Sequence, residues 1–417
     1  QGLNTETTEM TALDVDWVRA QFPAFREESI AGWAFFENAG GSYACKAVIR
    51  RLDEYYRRTK VQPYAPYPAA RRAGQWMDEA HERLAGWLGV TPDEMVVGPS
   101  TTQNAYVLAQ AFREEMAEGD EIIVTNQDHE ANSGPWRRLA DRGITIREWQ
   151  VDPETGHLDP AGLDDLLTER TRVVAFPHCS NIVAEINPVA EIAARVRAAG
   201  AVSVVDGVSM APHGLPDVEA LGCDIYLFSS YKTYGPHQGV MAIRRALLER
   251  LPNQSHYFNA DSLRKKLVPA GPDHAQVAAL AGLADYLDDL HARHFRTNIA
   301  PDRRDARVRD LMRGHEAELL APLLDYLKGR NDIRILGPTD PGRRAPTVAI
   351  VHSRPGEELA AALATDRIMA GGGHFYARRV IEAMGEDADR GVLRLSFVHY
   401  TSREEIDRLI RALDRVL

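Results

Sequence analysis

A chain of 417 residues with 44% hydrophobic and 26% charged residues has ordinary globular composition, and it is long enough for two domains sharing one large interface. Its formal net charge of −11 argues against a nucleic-acid or anionic-membrane partner, and no apolar run approaches the roughly 18–20 residues of a membrane span. Cys45, Cys179 and Cys223 form an odd, sparse set that suits a reducing cytoplasm better than a disulfide framework. No signal-peptide core is read, and cytoplasmic localisation is the expectation. No CxxC or HExxH spacing occurs, and His291 and His294 lack further ligands nearby, so no metal site is expected.

Residues 1–30 are expected to form an N-terminal arm whose polar start carries no fold signal, with one amphipathic turn from Asp14 to Gln21. Ala34 to Phe36 leads into the turn Glu37-Asn38-Ala39-Gly40-Gly41-Ser42, where paired glycines permit close backbone approach. A helix is predicted from Lys46, with Val48, Ile49, Leu52 and Tyr56 at helical spacing. Tyr64 to Pro68 breaks it as a stiff, exposed loop. A long amphipathic helix follows from Arg72 to Leu88, then a buried strand from Met95 to Val97. Gly98-Pro99-Ser100-Thr101-Thr102 turns into a helix near Gln103 that offers Tyr106, Leu108, Ala109 and Phe112 to the core. Alone, that hydroxyl-rich turn reads as ordinary capping. With a cofactor lysine downstream it reads as a phosphate seat.

Strands and helices then alternate. Strands are predicted at 121–125, 144–151, 173–176 and 201–205, separated by helical stretches from Ser133, at 160–167 and at 189–199. A further strand at 224–228 ends on Ser229-Ser230-Tyr231-Lys232, and 239–243 completes the sheet. This alternation predicts an α/β protein with a mainly parallel sheet flanked by helices, spanning 31–290. A smaller α+β domain spanning 291–417 would hold helices at 303–327 and 403–417, the latter with Ile406, Leu409, Ile410 and Leu413 as its apolar stripe, and strands at 347–351 and 393–398. Ligands of such sheets sit beyond the carboxyl ends of strands, where His129, His178, Asn181, Asp206 and Lys232 all fall.

Asp206 and Lys232 close two successive strands. A lysine amine can bond to the aldehyde of pyridoxal 5'-phosphate, and a carboxylate can hold a proton on its pyridine nitrogen, making the ring an electron sink. With FPAFREE, FFENAGGS and SYKTYGPHQG, these residues resemble the class V aminotransferase family of fold-type I enzymes, in its cysteine desulfurase-like and selenocysteine lyase-like subgroup. The resemblance runs from about Phe22 to the C-terminus. It implies that Lys232 forms the aldimine and serves as general base, its pKa lowered by burial. It further implies that Asp206 pairs with the ring nitrogen, and that His129 stacks on the ring and relays protons. Asn181 would bond the phenolic oxygen or the substrate, with Thr101, Thr102 and Ser229 on the phosphate. Arg394 would take the substrate carboxylate, with Asn38 and Tyr376 also at the substrate. A homodimer with shared active sites is implied, the Tyr64–Pro68 loop lying near the partner's site.

The departures from that family bear on the reaction. All three cysteines precede Lys232, and the position of the family's nucleophilic cysteine falls on Tyr376, which cannot carry a persulfide. A loop arginine falls on the glycine run 371–373. The family's glutamine is Ser209, which leaves Ser209 as a cofactor contact, and a threonine that reaches the partner's phosphate falls on Gly271. Cys179 beside His178 reads as a buried, inert thiol. The leading expectation is a lyase cleaving a C–S or C–Se bond of a cysteine-like amino acid. An aminotransferase or an epimerase of a small-molecule pathway is the alternative, and a catalytically dead scaffold is the non-enzyme reading.

Overall fold

The computed structural model describes residues 12–295 and 301–417, so the start of the expected N-terminal arm lies outside the described residues. Strand β1 (Ala34–Phe35) is followed by β2 (Met95–Gly98), β3 (Glu121–Thr125), β4 (Thr145–Trp149), β5 (Thr171–Pro177), β6 (Val202–Asp206), β7 (Ile225–Ser229) and β8 (Gly239–Ile243). Strands β2 to β8 make a seven-stranded sheet in the order β2-β8-β7-β6-β5-β3-β4. Strands β3 to β7 run parallel, and β8 is antiparallel to both β7 and β2.

Helices bury both faces, which is why these strands read as continuous apolar runs rather than alternating ones. Side chains along each strand still alternate between two cores. Ile123, Val205, Tyr226 and Phe228 pack on one face with Leu84 and Trp87 of helix Pro68–Leu88 and with helix His274–His294. Ile122, Val124, Val204 and Leu227 pack on the other face with Leu108 and Phe112 of helix Thr101–Glu115.

A second sheet is antiparallel. Strands β9 (Arg334–Leu336), β10 (Thr347–Val351), β12 (Gly371–Gly373) and β13 (Val392–Ser396) lie in the order β12-β13-β10-β9, while β11 (Ile368–Met369) pairs with β1. A third core joins Leu320, Leu323, Ile350, Leu393 and Leu409 to Ala34 and Phe36. The segment around residue 35 therefore packs with the C-terminal sheet although it precedes the large sheet in sequence. In the closing helix Arg403–Val416, Ile406, Leu409 and Leu413 are buried and Ile410 lies at the edge of the stripe.

Several predicted bounds move for identifiable reasons. The helix expected from Arg72 begins at Pro68, because proline is well suited to a first helical position, and it ends on left-handed Gly89. The strand at 144–151 shortens to Thr145–Trp149, and the helix at 160–167 to Pro160–Asp164. In helix Lys46–Arg58, Ala47, Val48 and Tyr55 face the core, whereas Ile49 and Tyr56 are 46% and 51% exposed. Tyr106 is likewise exposed rather than in the core, because it faces the cavity described below. Strands β9 and β12 and the helix Gly356–Ala364 were not anticipated. Three glycines carry no side-chain pattern that could announce a strand.

Gly282 marks where helix His274–His294 crosses helix Lys46–Arg58, since a Cβ there would lie 2.5 Å from Val48 N and 2.6 Å from Val48 Cα. Gly282→Ala is expected to cost about 1–3 kcal/mol by overpacking, read as a lowered Tm. An unchanged Tm would show that the crossing can widen freely.

Candidate active site

The site begins with a row of three backbones. Gly98 and Ser229 both register with Gly239 of β8, so the ends of β2 and β7 lie on either side of one residue. A Cβ on Gly239 would stand 2.4 Å from Ser100 C, so glycine allows the turn after β2 to settle against the sheet. Ser100 caps helix Thr101–Glu115 by accepting from Gln103 N at 3.1 Å. Thr101 and Thr102 open that helix, whose first N–H groups have no intrahelical acceptor. Thr101 Oγ1 lies 2.8 Å from Ser229 Oγ. Two threonines, a serine and a helix N-terminus thus border one cavity as donors of the kind an anion requires.

Asp206 ends β6 and accepts from Val208 N at 2.9 Å through Oδ1. Burial pushes its carboxyl up to about 6, against the pull of Lys232. Lys232 follows β7, and burial, helped by Arg394, brings its amine down to about 8 against the pull of Asp206. His129 is lowered to about 3 by burial and by the two cations, and its Nδ1 accepts from Ala131 N at 3.0 Å. It is therefore neutral throughout the physiological range.

Arg394 comes from β13 of the other sheet. It is 3% exposed, and burial lowers it to about 10. Its guanidinium carbon stands 3.8 Å from the centre of the Phe375 ring. Among the described residues it makes no ion pair, and its buried Nε has no hydrogen-bond partner.

These groups line two cavities that meet at Lys232. A small one holds Thr101, Thr102, His129, Asn181, Asp206, Ser209 and Ser229. A larger one of about 580 Å³ opens past His129 and Asn181 to Arg394, Tyr376 and Glu37. The predicted residues are brought together, Asn38 through a further small cavity that it shares with Ser209 and Lys232, and His178 is the exception. Asn38 is committed to the framework: its amide donates to Phe35 O and Ser396 O, and its Oδ1 accepts from Tyr400 Oη. His178, which shares the strand-end position, turns inward to Tyr226 Oη at 2.8 Å.

The class-V aminotransferase family model matches residues 34–295 and 308–409. The chain belongs to that family. It is 36% identical to the aminotransferase-like protein FGM3 of Gibberella zeae, over 98% of this chain and 99% of that one. It is 28% identical to a probable cysteine desulfurase of Halobacterium salinarum, over 98% of each. The solved cysteine desulfurase CsdA of Escherichia coli superimposes with a TM-score of 0.81 at 25% identity, covering 97% of this chain and 98% of that one. This is a fold-type I enzyme of the pyridoxal-phosphate-dependent class, with a cysteine desulfurase-like fold.

The residues present suit that family's cofactor. The donor cluster at Thr101 matches a phosphate, Asp206 a pyridinium, Lys232 an aldehyde, and the unpartnered Asn181 Oδ1 a hydroxyl or ammonium. The loop after β12 frames the larger cavity. Phe375 and Tyr376 sit at φ 52° and 60°, left-handed values that bulky residues rarely adopt. The loop is held down by Asn181 Nδ2 donating to Phe375 O at 2.9 Å and Glu130 N donating to Tyr376 O at 2.7 Å. Tyr376 presents a ring 5.3 Å from that of His129. Sequence reasoning gave no place in the site to Glu37, Tyr106, Glu130, Tyr231 or Phe375, which also line the larger cavity. Glu37 stood inside the quoted FFENAGGS turn, one residue before Asn38, and that adjacency was the available signal.

A lowered lysine should react with amine-directed reagents at lower pH than its peers. In the apo-protein, acylation of Lys232 followed by mass spectrometry is expected to rise about tenfold per pH unit and level off near pH 8. A profile still rising at pH 10, like that of an exposed lysine, would contradict this electrostatic reading.

Proposed function

We propose that the enzyme is a pyridoxal-phosphate-dependent β-lyase that breaks the carbon–sulfur bond of a cysteine-like or S-substituted cysteine. The observation that carries this reading is Arg394, a buried guanidinium without a counter-ion in contact, opening onto the same cavity as Lys232. A buried cation of this kind calls for an anion, and the planar fork of arginine suits a carboxylate.

In this reading Thr101, Thr102 and Ser229 would hold the phosphate of the cofactor, Asp206 would hold the ring nitrogen, and Ser209 would be a further cofactor contact in the same cavity. When bound, pyridoxal phosphate supplies an electron sink for the bonding pair left at the substrate Cα. Arg394 would fix the α-carboxylate in the same cavity that Lys232 lines. Lys232, with a pKa near 8, removes the Cα proton as general base. His129 lies over the site as a neutral ring that does not repel the neighbouring cations. The electron pair of the Cα–H bond becomes a Cα–Cβ double bond as the Cβ–S pair departs with sulfur. The three-carbon enamine acid that remains hydrolyses to pyruvate and ammonia.

The thiols support elimination over persulfide chemistry. Cys45, Cys179 and Cys223 are all buried, and burial pushes each up to about 12. Cys179 borders the small cavity, but its thiol donates to Ala184 O at 3.3 Å. Tyr376 occupies the loop and offers only a phenol.

We also propose a cytoplasmic homodimer. Ile49, Tyr56, Val61, Tyr64 and Tyr67 are all well exposed within one stretch, and a second copy covering them would bring the Tyr64–Pro68 loop to the partner's site. Among the described residues no helix is long and apolar enough to cross a membrane.

With cysteine, selenocysteine and S-substituted cysteines, the expected product is pyruvate. Alanine formed from cysteine that vanishes when Cys45, Cys179 and Cys223 are all replaced by alanine would overturn the elimination route. Keto acid from the intact carbon skeleton would point to transamination, and racemised substrate to epimerisation. Arg394→Ala is expected to lower kcat/KM by about a hundredfold or more, through loss of two charge-assisted hydrogen bonds. A loss below tenfold would remove Arg394 from substrate binding.

A further inference from the structure

Among the described residues that line the larger cavity, Glu37 is the carboxylate whose charge acts on the Arg394 guanidinium, from beyond ion-pair contact. Its backbone bridges in parallel to Ser396, two residues along β13 from Arg394, so the two side chains share one face. Across β13, Gly371 registers with Arg394, and a Cβ at 371 would stand 2.2 Å from Glu37 Oε1. The first glycine of the run therefore seats this carboxylate. No hydrogen bond or ion pair within the described residues occupies it. The other acid of the lining, Glu130, already faces Arg379 at 3.4 Å.

Once a substrate carboxylate engages Arg394, Glu37 is left as a charge without a partner inside a cavity of about 580 Å³. Tyr106, Tyr231, Phe375 and Tyr376 add aromatic rings to a lining that also includes Lys232, His129 and Asn181. A carboxylate framed by aromatic faces suits an ammonium or guanidinium and repels an acid. We propose that Glu37 selects substrates whose departing sulfur substituent carries a positive charge. This rests on the lyase reading above and specifies its substrate class. In such a substrate the cationic group leaves with the sulfur, and the retained three carbons are the same for every substituent.

The test uses three probes of similar length: S-(2-aminoethyl)cysteine, S-propylcysteine and S-carboxymethylcysteine. Stopped-flow absorbance of the holoenzyme reports binding before turnover, and pyruvate release reports kcat/KM. The expected order is aminoethyl, then propyl, then carboxymethyl, with the first about tenfold tighter than the second. Glu37→Gln should erase that difference. Gly371→Ala, which keeps the charge but removes its seat, should erase it too and covers the case in which E37Q fails to fold. An equal loss for all three probes in E37Q would mean that Glu37 acts only through Arg394, and would overturn the proposal. A wild-type response to all three without charge preference would overturn it as well, leaving the lyase reading intact. Silence toward all three would overturn both.

Discussion

Removal of water from three ionisable groups at once is the constraint on which the rest of the structure depends. Lys232, Asp206 and Arg394 stand within one desolvated region, and burial is the largest influence on each. Isolated buried charges cost several kcal/mol apiece, and none of these three forms a direct ion pair among the described residues. What they oppose is the tendency of the cavity to refill or to collapse. Two sheets resist that tendency: Asp206 and Lys232 are anchored at and just past the ends of β6 and β7 in the large sheet, and Arg394 within β13 of the antiparallel one. A ligand bringing a phosphate, a pyridinium and a carboxylate would neutralise the set, so binding and stability are coupled.

The two sheets meet at this point, and polar ties hold the meeting in register. Ser42 N donates to Tyr231 O at 3.2 Å, and Tyr234 N donates to Ser42 Oγ at 2.8 Å, which fixes the 37–42 turn to the segment carrying Lys232. On its other side the same turn joins Ser396 and Tyr400 through Asn38. Arg394 and Glu37 are thereby placed on the cavity that Lys232 also lines. The loop at 374–376 closes the third side, with its left-handed residues held by Asn181 and by the backbone of Glu130.

Much of this arrangement was legible before any coordinates. Short apolar runs alternating with helical stretches led to the sheet, and strand ends led to Asp206, Lys232 and Asn181, because chemistry in parallel sheets gathers at carboxyl ends. His178 met the same criterion yet points into the core, since strand position locates a backbone and not the direction of a side chain. Asn38, expected at the substrate, also ties the two sheets together, a feature visible only once Ser396 and Tyr400 are adjacent. The strand Gly371–Gly373 left no trace in sequence because glycine carries no hydrophobic pattern. The room that Gly371 leaves for the Glu37 carboxylate involves a partner more than 330 residues away. Helix phase misled in a different way: Ile49 and Tyr56 keep helical spacing, but on a stripe that this chain leaves uncovered.

The central claim is that the cavity binds pyridoxal phosphate through Lys232, and one measurement tests it most directly. The purified protein is reduced with borohydride, digested, and its peptides mapped by mass spectrometry. The account predicts a visible absorbance band before reduction and one cofactor adduct, on Lys232, absent from Lys232→Ala. An adduct on any other lysine, or a borohydride-stable adduct persisting in Lys232→Ala, would contradict it.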